Sequence, residues 1–175
     1  MCGHTLRVRI DVKTESYALP GRTSLRYDAL KNWTVKYLQF TWNLARLRSV
    51  YAPSRTTPDV LHSAIELTFA SCHSLGAWLT AGPEPQSVTA GDVARLFEVA
   101  PLEVCKALAT CTNTGARARI EVVHLGHAAR GWVEFAQPGK RAVRYDALDL
   151  ADRCLAAWNC FLRDRDVALP SWTDS

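Results

Sequence analysis

The segment His62-Ser63-Ala64-Ile65-Glu66-Leu67-Thr68-Phe69-Ala70-Ser71-Cys72-His73-Ser74-Leu75-Gly76-Ala77-Trp78-Leu79 decides the fold. Leu61, Ala64, Ile65, Phe69, Cys72 and Leu79 recur at helical spacing and form one apolar stripe, and Leu67, Ala70 and Trp78 form a second. A helix that is apolar on more than one side is expected to lie at the centre of its domain. Thr57-Pro58-Asp59 starts it, Thr being suited to the cap and Pro to the first turn. Ala81-Gly82-Pro83-Glu84-Pro85 stops it.

Downstream, Thr89 caps a short helix running through Phe97, and Pro101 opens another that reaches Thr110. Asn113-Thr114-Gly115 suits a turn. Ile120-Glu121-Val122-Val123 and Trp132-Val133-Glu134-Phe135 carry the β-branched and aromatic residues of strands, joined as a hairpin by Gly126 to Gly131. Leu148, Ala151, Leu155, Trp158 and Leu162 mark a last helix, with Pro170 as its stop. Upstream, Leu30, Trp33, Tyr37, Leu44 and Leu47 predict a helix from Ser24 to about Val50, its stripe broadened by Phe40 and Trp42. Leu6, Val8, Ile10 and Val12 alternate with Arg7, Arg9, Asp11 and Lys13, the period of a half-buried strand. The expected fold is mainly α, of α+β type. It is a single-domain helical bundle over residues 1–175 with a small antiparallel β element, an N-terminal strand and a hairpin around 118–136.

With 175 residues, 48% of them hydrophobic and 22% charged, the composition is that of a globular domain rather than a disordered chain. No apolar run approaches the ~20 residues of a membrane helix. The amino terminus lacks the basic-then-apolar order of a signal peptide, so a cytoplasmic location and no membrane contact are expected. None of the six cysteines forms a Cys-x-x-Cys pair. Cys72, Cys105, Cys111, Cys154 and Cys160 fall in apolar helical patterns and read as buried, reduced thiols, with no metal or cofactor expected. His124-x-x-His127 lacks evident further ligands for zinc and reads as metal-free. The net charge of +4 is spread over three clusters: Arg46 with Arg48, Arg117 with Arg119, and Lys140 with Arg141 and Arg144. Such charge favours weak polyanion contact. Arg26-Tyr27-Asp28-Ala29-Leu30 recurs as Arg144-Tyr145-Asp146-Ala147-Leu148, but the following Trp-Asn pairs fall out of register, which argues for two helices starting alike.

Three segments carry a resemblance: Phe69 to Leu79 with His73, Leu75, Trp78 and Leu79; Val93 to Asn113, an acidic-apolar helix leading to an Asn; and Ala147 to Asp164 with its mid-point Trp158. In this order they resemble a group of small bacterial helical proteins related to the HEPN (higher eukaryotes and prokaryotes nucleotide-binding) domains. The resemblance implies a helical fold and a role near RNA. In that group the Asn is followed by Lys-His; here Ala116 and Arg117 take those places, removing the imidazole a proton transfer needs. His73 ends the central helix and Asn113 the helical pair that follows, so a compact bundle would bring them into a polar groove with Arg117 at its edge, able to hold a phosphate-sized anion; the alternative is that Asn113 caps its own helix and His73 stands alone.

Two further patterns compete with this reading. Arg119-Ile120-Glu121-Val122-Val123-His124 satisfies the HEPN nuclease pattern, in which Arg steadies phosphate charge and His moves protons. That pairing needs helical spacing, whereas these residues read as a strand. Thr89 to Leu108 has the layout of a helix-turn-helix with the hairpin as wing, but Lys106 is the one basic side chain on the would-be recognition helix. The expected function is therefore a nucleic-acid-associated or regulatory HEPN-like protein without robust nuclease activity. RNA is the expected partner, with a protein partner or a second copy of the chain as the other. A winged helix-turn-helix DNA-binding protein over residues 89–136 and a metal-independent ribonuclease using Arg119 and His124 are the alternatives.

Overall fold

The computed structural model describes residues 32–51, 56–82, 85, 87–110, 116–125 and 128–170, and at 124, 125 and 128 the backbone alone. Five helices and a three-stranded sheet follow in the order α1 (Trp33–Val50), α2 (Pro58–Ala81), α3 (Ala90–Leu96), α4 (Leu102–Thr110), β1 (Arg117–Leu125), β2 (Ala128–Ala136), β3 (Val143–Asp146) and α5 (Ala147–Arg163). The fold is mainly α with a small antiparallel sheet, as the periodicities predict. The expected N-terminal strand and the first copy of the Arg-Tyr-Asp-Ala-Leu sequence lie outside the described residues.

α2 is the centre. It packs on α1, on α4 and α5, and on the sheet. Asn43 of α1 donates to Ser71 Oγ at 3.1 Å and to the Leu67 carbonyl at 3.3 Å, while Thr68 Oγ1 donates to the Asn43 carbonyl at 3.2 Å. These buried polar groups are satisfied across the helix pair, which fixes its register. The second apolar stripe expected to cover α2 is not buried. Leu67 is 47% exposed and Ala70 is exposed, as is Trp42 on α1 at 54%. Of the two residues that broaden the α1 stripe, Phe40 is enclosed and Trp42 is not. One buried face on α2, the Leu61–Ile65–Phe69–Cys72–Leu79 stripe with Leu75, serves all its neighbours.

β1, β2 and β3 form a meander, with β2 antiparallel to both neighbours. Along β2, Ala129, Gly131, Val133 and Phe135 are buried against the helices while the residues between them are more accessible, the expected period of two. The strands are longer than the sequence suggests, so Gly131 belongs to β2 rather than to the connecting loop. β3 is an addition. Val143-Arg144-Tyr145-Asp146 pairs with β2 before Asp146 caps α5 through Leu148 and Asp149 N–H.

α5 buries Leu150, Ala151, Cys154, Trp158, Phe161 and Leu162, a face rotated from the predicted one, since Leu148 and Leu155 are only half-buried. It ends at Arg163, well before Pro170. Val167 N–H reaches back to the Leu162 carbonyl and Asp166 N–H to the Arg163 carbonyl, both at 3.0 Å. With Asp166 at φ 55°, this is a Schellman closure in which a non-glycine residue takes the left-handed position.

Candidate functional site

Gly76 sets the geometry of the site. A Cβ there would lie 2.7 Å from Phe97 Cε2 and 2.8 Å from Val93 Cγ1, so only glycine lets α3 approach α2 this closely. α3 is held in place by its own cap. Thr89 and Asp92 exchange side-chain-to-backbone bonds in a capping box. Asp92 also accepts from Arg95 at 2.7 Å and pairs with Arg165, beyond α5, at 3.1 Å. Bonds from Thr89 first, then from the two guanidinium groups, hold its carboxyl well below the usual carboxylate range.

Phe97, carried at the end of α3, packs its ring 5.2 Å from His73 and edge-on to Trp158 at 5.7 Å. His73 is half-buried on α2. Burial lowers its pKa, the Cys72 sulfur beside it works the other way, and the Lys106 ammonium adds to the lowering. Phe97 also lines a cleft of about 210 Å³, together with Glu98, Glu103, Lys106, Ala107, Thr110 and Ala116. Glu103 is engaged by the Gln137 amide. Lys106 is exposed on α4 and makes no ion pair among the described residues.

Of the residues singled out from sequence, His73 packs against Phe97, and Arg117 is next in the chain to Ala116, which lines the cleft. Arg117 is exposed and has no ion pair among the described residues. Asn113 lies outside the described residues. Arg119 is placed elsewhere. It donates through Nε at 3.0 Å and Nη2 at 2.5 Å to one Glu134 oxygen across the β1–β2 ladder, which raises its pKa. β1 runs from Arg117↔Ala136 to Leu125↔Ala128 without a bulge. Position 124 is thus an odd number of steps from Arg119 on a regular strand, not one helical turn away. The side chain of His124, and all of His127, lie outside the described residues.

Some of the other basic residues are neutralised locally, whereas Arg46, Lys140 and Arg141 are exposed and make no ion pair among the described residues. Arg48 pairs with Asp152 at 2.7 Å and Arg144 with Glu121 at 3.0 Å, the Arg144 guanidinium also resting 4.7 Å from the Trp132 ring centre. Such exposed pairs are each worth about 0–1 kcal/mol, but they take up charge a polyanion would otherwise meet.

Two arrangements escaped sequence reasoning. A second hollow of about 260 Å³ between α2, α4 and β1 brings His62 and Glu66 beside Arg119 over a floor that includes Phe69, Leu108 and Ile120. His62 Nε2 and Glu66 Oε1 are 3.2 Å apart; this four-residue spacing was a signal available in the sequence. The second arrangement is the core meeting of Cys72, Cys105 and Cys154, whose sulfurs all lie within 4.8 Å of one another. No local spacing announces it. Cys160, by contrast, is exposed rather than buried.

No family model, no curated protein and no solved structure matches the chain.

Proposed function

We propose that the protein is a non-catalytic, nucleic-acid-associated protein of HEPN-like type that contacts single-stranded RNA at the cleft beside Phe97. The observation that carries this reading is a polar cleft walled by Phe97 and lined by Lys106, an exposed cation without an ion-pair partner among the described residues, with the exposed Arg117 next in the chain to the lining residue Ala116. Phosphate contacts by Lys and Arg supply most of the affinity for single strands, and an aromatic edge gives a base a surface to rest on. The absence of catalysis in this reading follows from Ala116 and Arg117 replacing Lys-His and from Arg119 being committed to Glu134.

Fluorescence anisotropy of the full chain with a labelled single-stranded RNA tests it. Binding is expected to weaken with salt, and Lys106→Ala combined with Arg117→Ala is expected to flatten the log–log salt slope by about 1.4, two single-strand phosphates' worth. An unchanged slope overturns the cleft as the contact. No RNA binding at all overturns the function.

A duplex-DNA reading has one feature in its favour, the succession of α3, α4 and the β1–β2 hairpin. α4, however, buries Leu102, Val104 and Cys105 and offers only Lys106 as a base on its open face. Duplex DNA binding stronger than RNA binding, abolished by Arg117→Ala with Arg119→Ala, would favour it.

A further inference from the structure

Cys72 on α2, Cys105 on α4 and Cys154 on α5 come from three helices and meet at one point in the core, each fully buried. Their sulfurs are mutually within 4.8 Å. Three sulfurs around one ion at a metal–sulfur distance of ~2.3 Å stand ~4 Å apart, so a small inward turn of the side chains completes the triangle. A second observation points to the same place. The indole Nε1 of Trp158, one turn along α5 from Cys154, is buried without a hydrogen-bond partner. A buried N–H left without an acceptor is costly, and it is a donor only. A metal-bound thiolate is the acceptor it lacks, since sulfur ligands are commonly steadied by such outer N–H groups.

We propose that Cys72, Cys105 and Cys154 form a three-sulfur site for a thiophilic d10 metal ion, zinc(II) or copper(I), with Trp158 as the outer hydrogen-bond donor. Each thiol gives up its proton on ligation, so three protons leave as three metal–sulfur bonds form. The site is left with one negative charge for a divalent ion and two for a monovalent one. In the metal-free protein Cys105 Sγ donates to the Phe69 carbonyl at 3.4 Å and Cys154 Sγ to the Pro101 carbonyl at 3.8 Å, contacts that hold both sulfurs in the core. Burial pushes the Cys105 thiol up; Cys154, drawn down by Cys105, is raised overall by Cys72 and by burial. Soft thiolate ligands select copper(I) and zinc over magnesium or calcium. A disulfide would use two of the sulfurs and leave the third and the indole unserved.

The test is to refold the reduced full chain with zinc(II) alone and with copper(I) alone, then measure bound metal by native mass spectrometry and sulfur ligands by X-ray absorption. One ion per chain with three sulfur ligands is the expected result, and the arm that retains metal against a chelator identifies the ion. Cys160→Ser, at an exposed thiol, should bind as the parent does. Cys105→Ser should not retain the ion, and Trp158→Phe should hold it about tenfold more weakly. X-ray absorption on the unsubstituted chain decides the matter even where a core variant does not fold. Failure of both ions to bind, fewer than three sulfur ligands, or a chain that instead oxidises to a disulfide between two of the three cysteines overturns the proposal. RNA binding at the cleft is measured separately and can fail or succeed on its own.

Discussion

Tyr51 and Gly131 form a reciprocal pair: the phenol donates to the Gly131 carbonyl at 2.7 Å and accepts from the Gly131 N–H at 3.2 Å. β3 pairs with β2 only from Trp132 onward, so Gly131 lies just beyond its reach. The residue capping α1 thereby completes the hydrogen bonding of the central strand and ties the helical layer to the sheet.

The lack of a side chain at Gly131 is what permits this. A Cβ would stand 2.3 Å from Ile65 Cδ1 and 3.1 Å from the Tyr51 oxygen. Gly131→Ala is expected to destabilise the protein by about 1–3 kcal/mol through overpacking. Ile65→Val removes the clashing methyl, so the double variant should lose less than the sum of the two single ones. Urea denaturation of all four chains measures the coupling, and strict additivity would refute the close contact.

The same phenol makes stability sensitive to alkaline pH. Burial first, and the Asp146 carboxylate second, push Tyr51 up to about 12 from an ordinary value of 10.0. The folded state thus holds the proton more tightly than the unfolded chain. The contribution is complete below pH 10 and is lost as pH rises towards 12. Thermal melts across this range should show a shallower decline for Tyr51→Phe than for the parent. The residual decline should include Tyr37, whose pKa is also raised by burial.

His73 gives a dependence on the acid side. Burial holds its pKa below 6.5, so the unfolded chain takes up the proton first. Its contribution is present above pH 6.5 and is lost as pH falls through the folded value. His73→Gln should flatten the melting temperature between neutral and mildly acid pH. A parent protein whose stability is flat over that range would contradict the half-buried placement against Phe97.

The close of α5 is a site for stabilisation. Asp166 occupies the left-handed position at φ 55°, where glycine has no steric penalty. Asp166→Gly is expected to add about 0.5–1 kcal/mol, read as a higher denaturation midpoint with an unchanged slope.

Nuclease activity provides the sharpest contrast among functions. Incubation of purified protein with RNA in metal-free buffer is expected to leave the RNA intact, and Arg119→Ala and His124→Ala to make no difference. Rapid cleavage lost on His124→Ala would establish a ribonuclease in spite of the strand spacing.

Local periodicity and end signals in the sequence were enough to place α2, α4, α5 and the hairpin, and Thr89 already marked the cap of α3. Each of those signals relates residues two to four positions apart, where backbone geometry alone decides who shares a face. The strand at Ile120–Val123 was likewise legible, though not its extension to Arg117–Leu125, and with it the parting of Arg119 from position 124. β3 was not, because four residues carry too little pattern of their own and depend on pairing with β2. Which apolar stripe of α2 is enclosed was also undecided, for Leu67 and Trp78 look as hydrophobic as Ile65 until the positions of the neighbouring helices are known. The cleft beside Phe97 required the close approach of α3 at Gly76, a contact across the fold. The three-thiol core is the extreme case: Cys72, Cys105 and Cys154 are separated by whole helices, and only the convergence of α2, α4 and α5 brings their sulfurs within 4.8 Å.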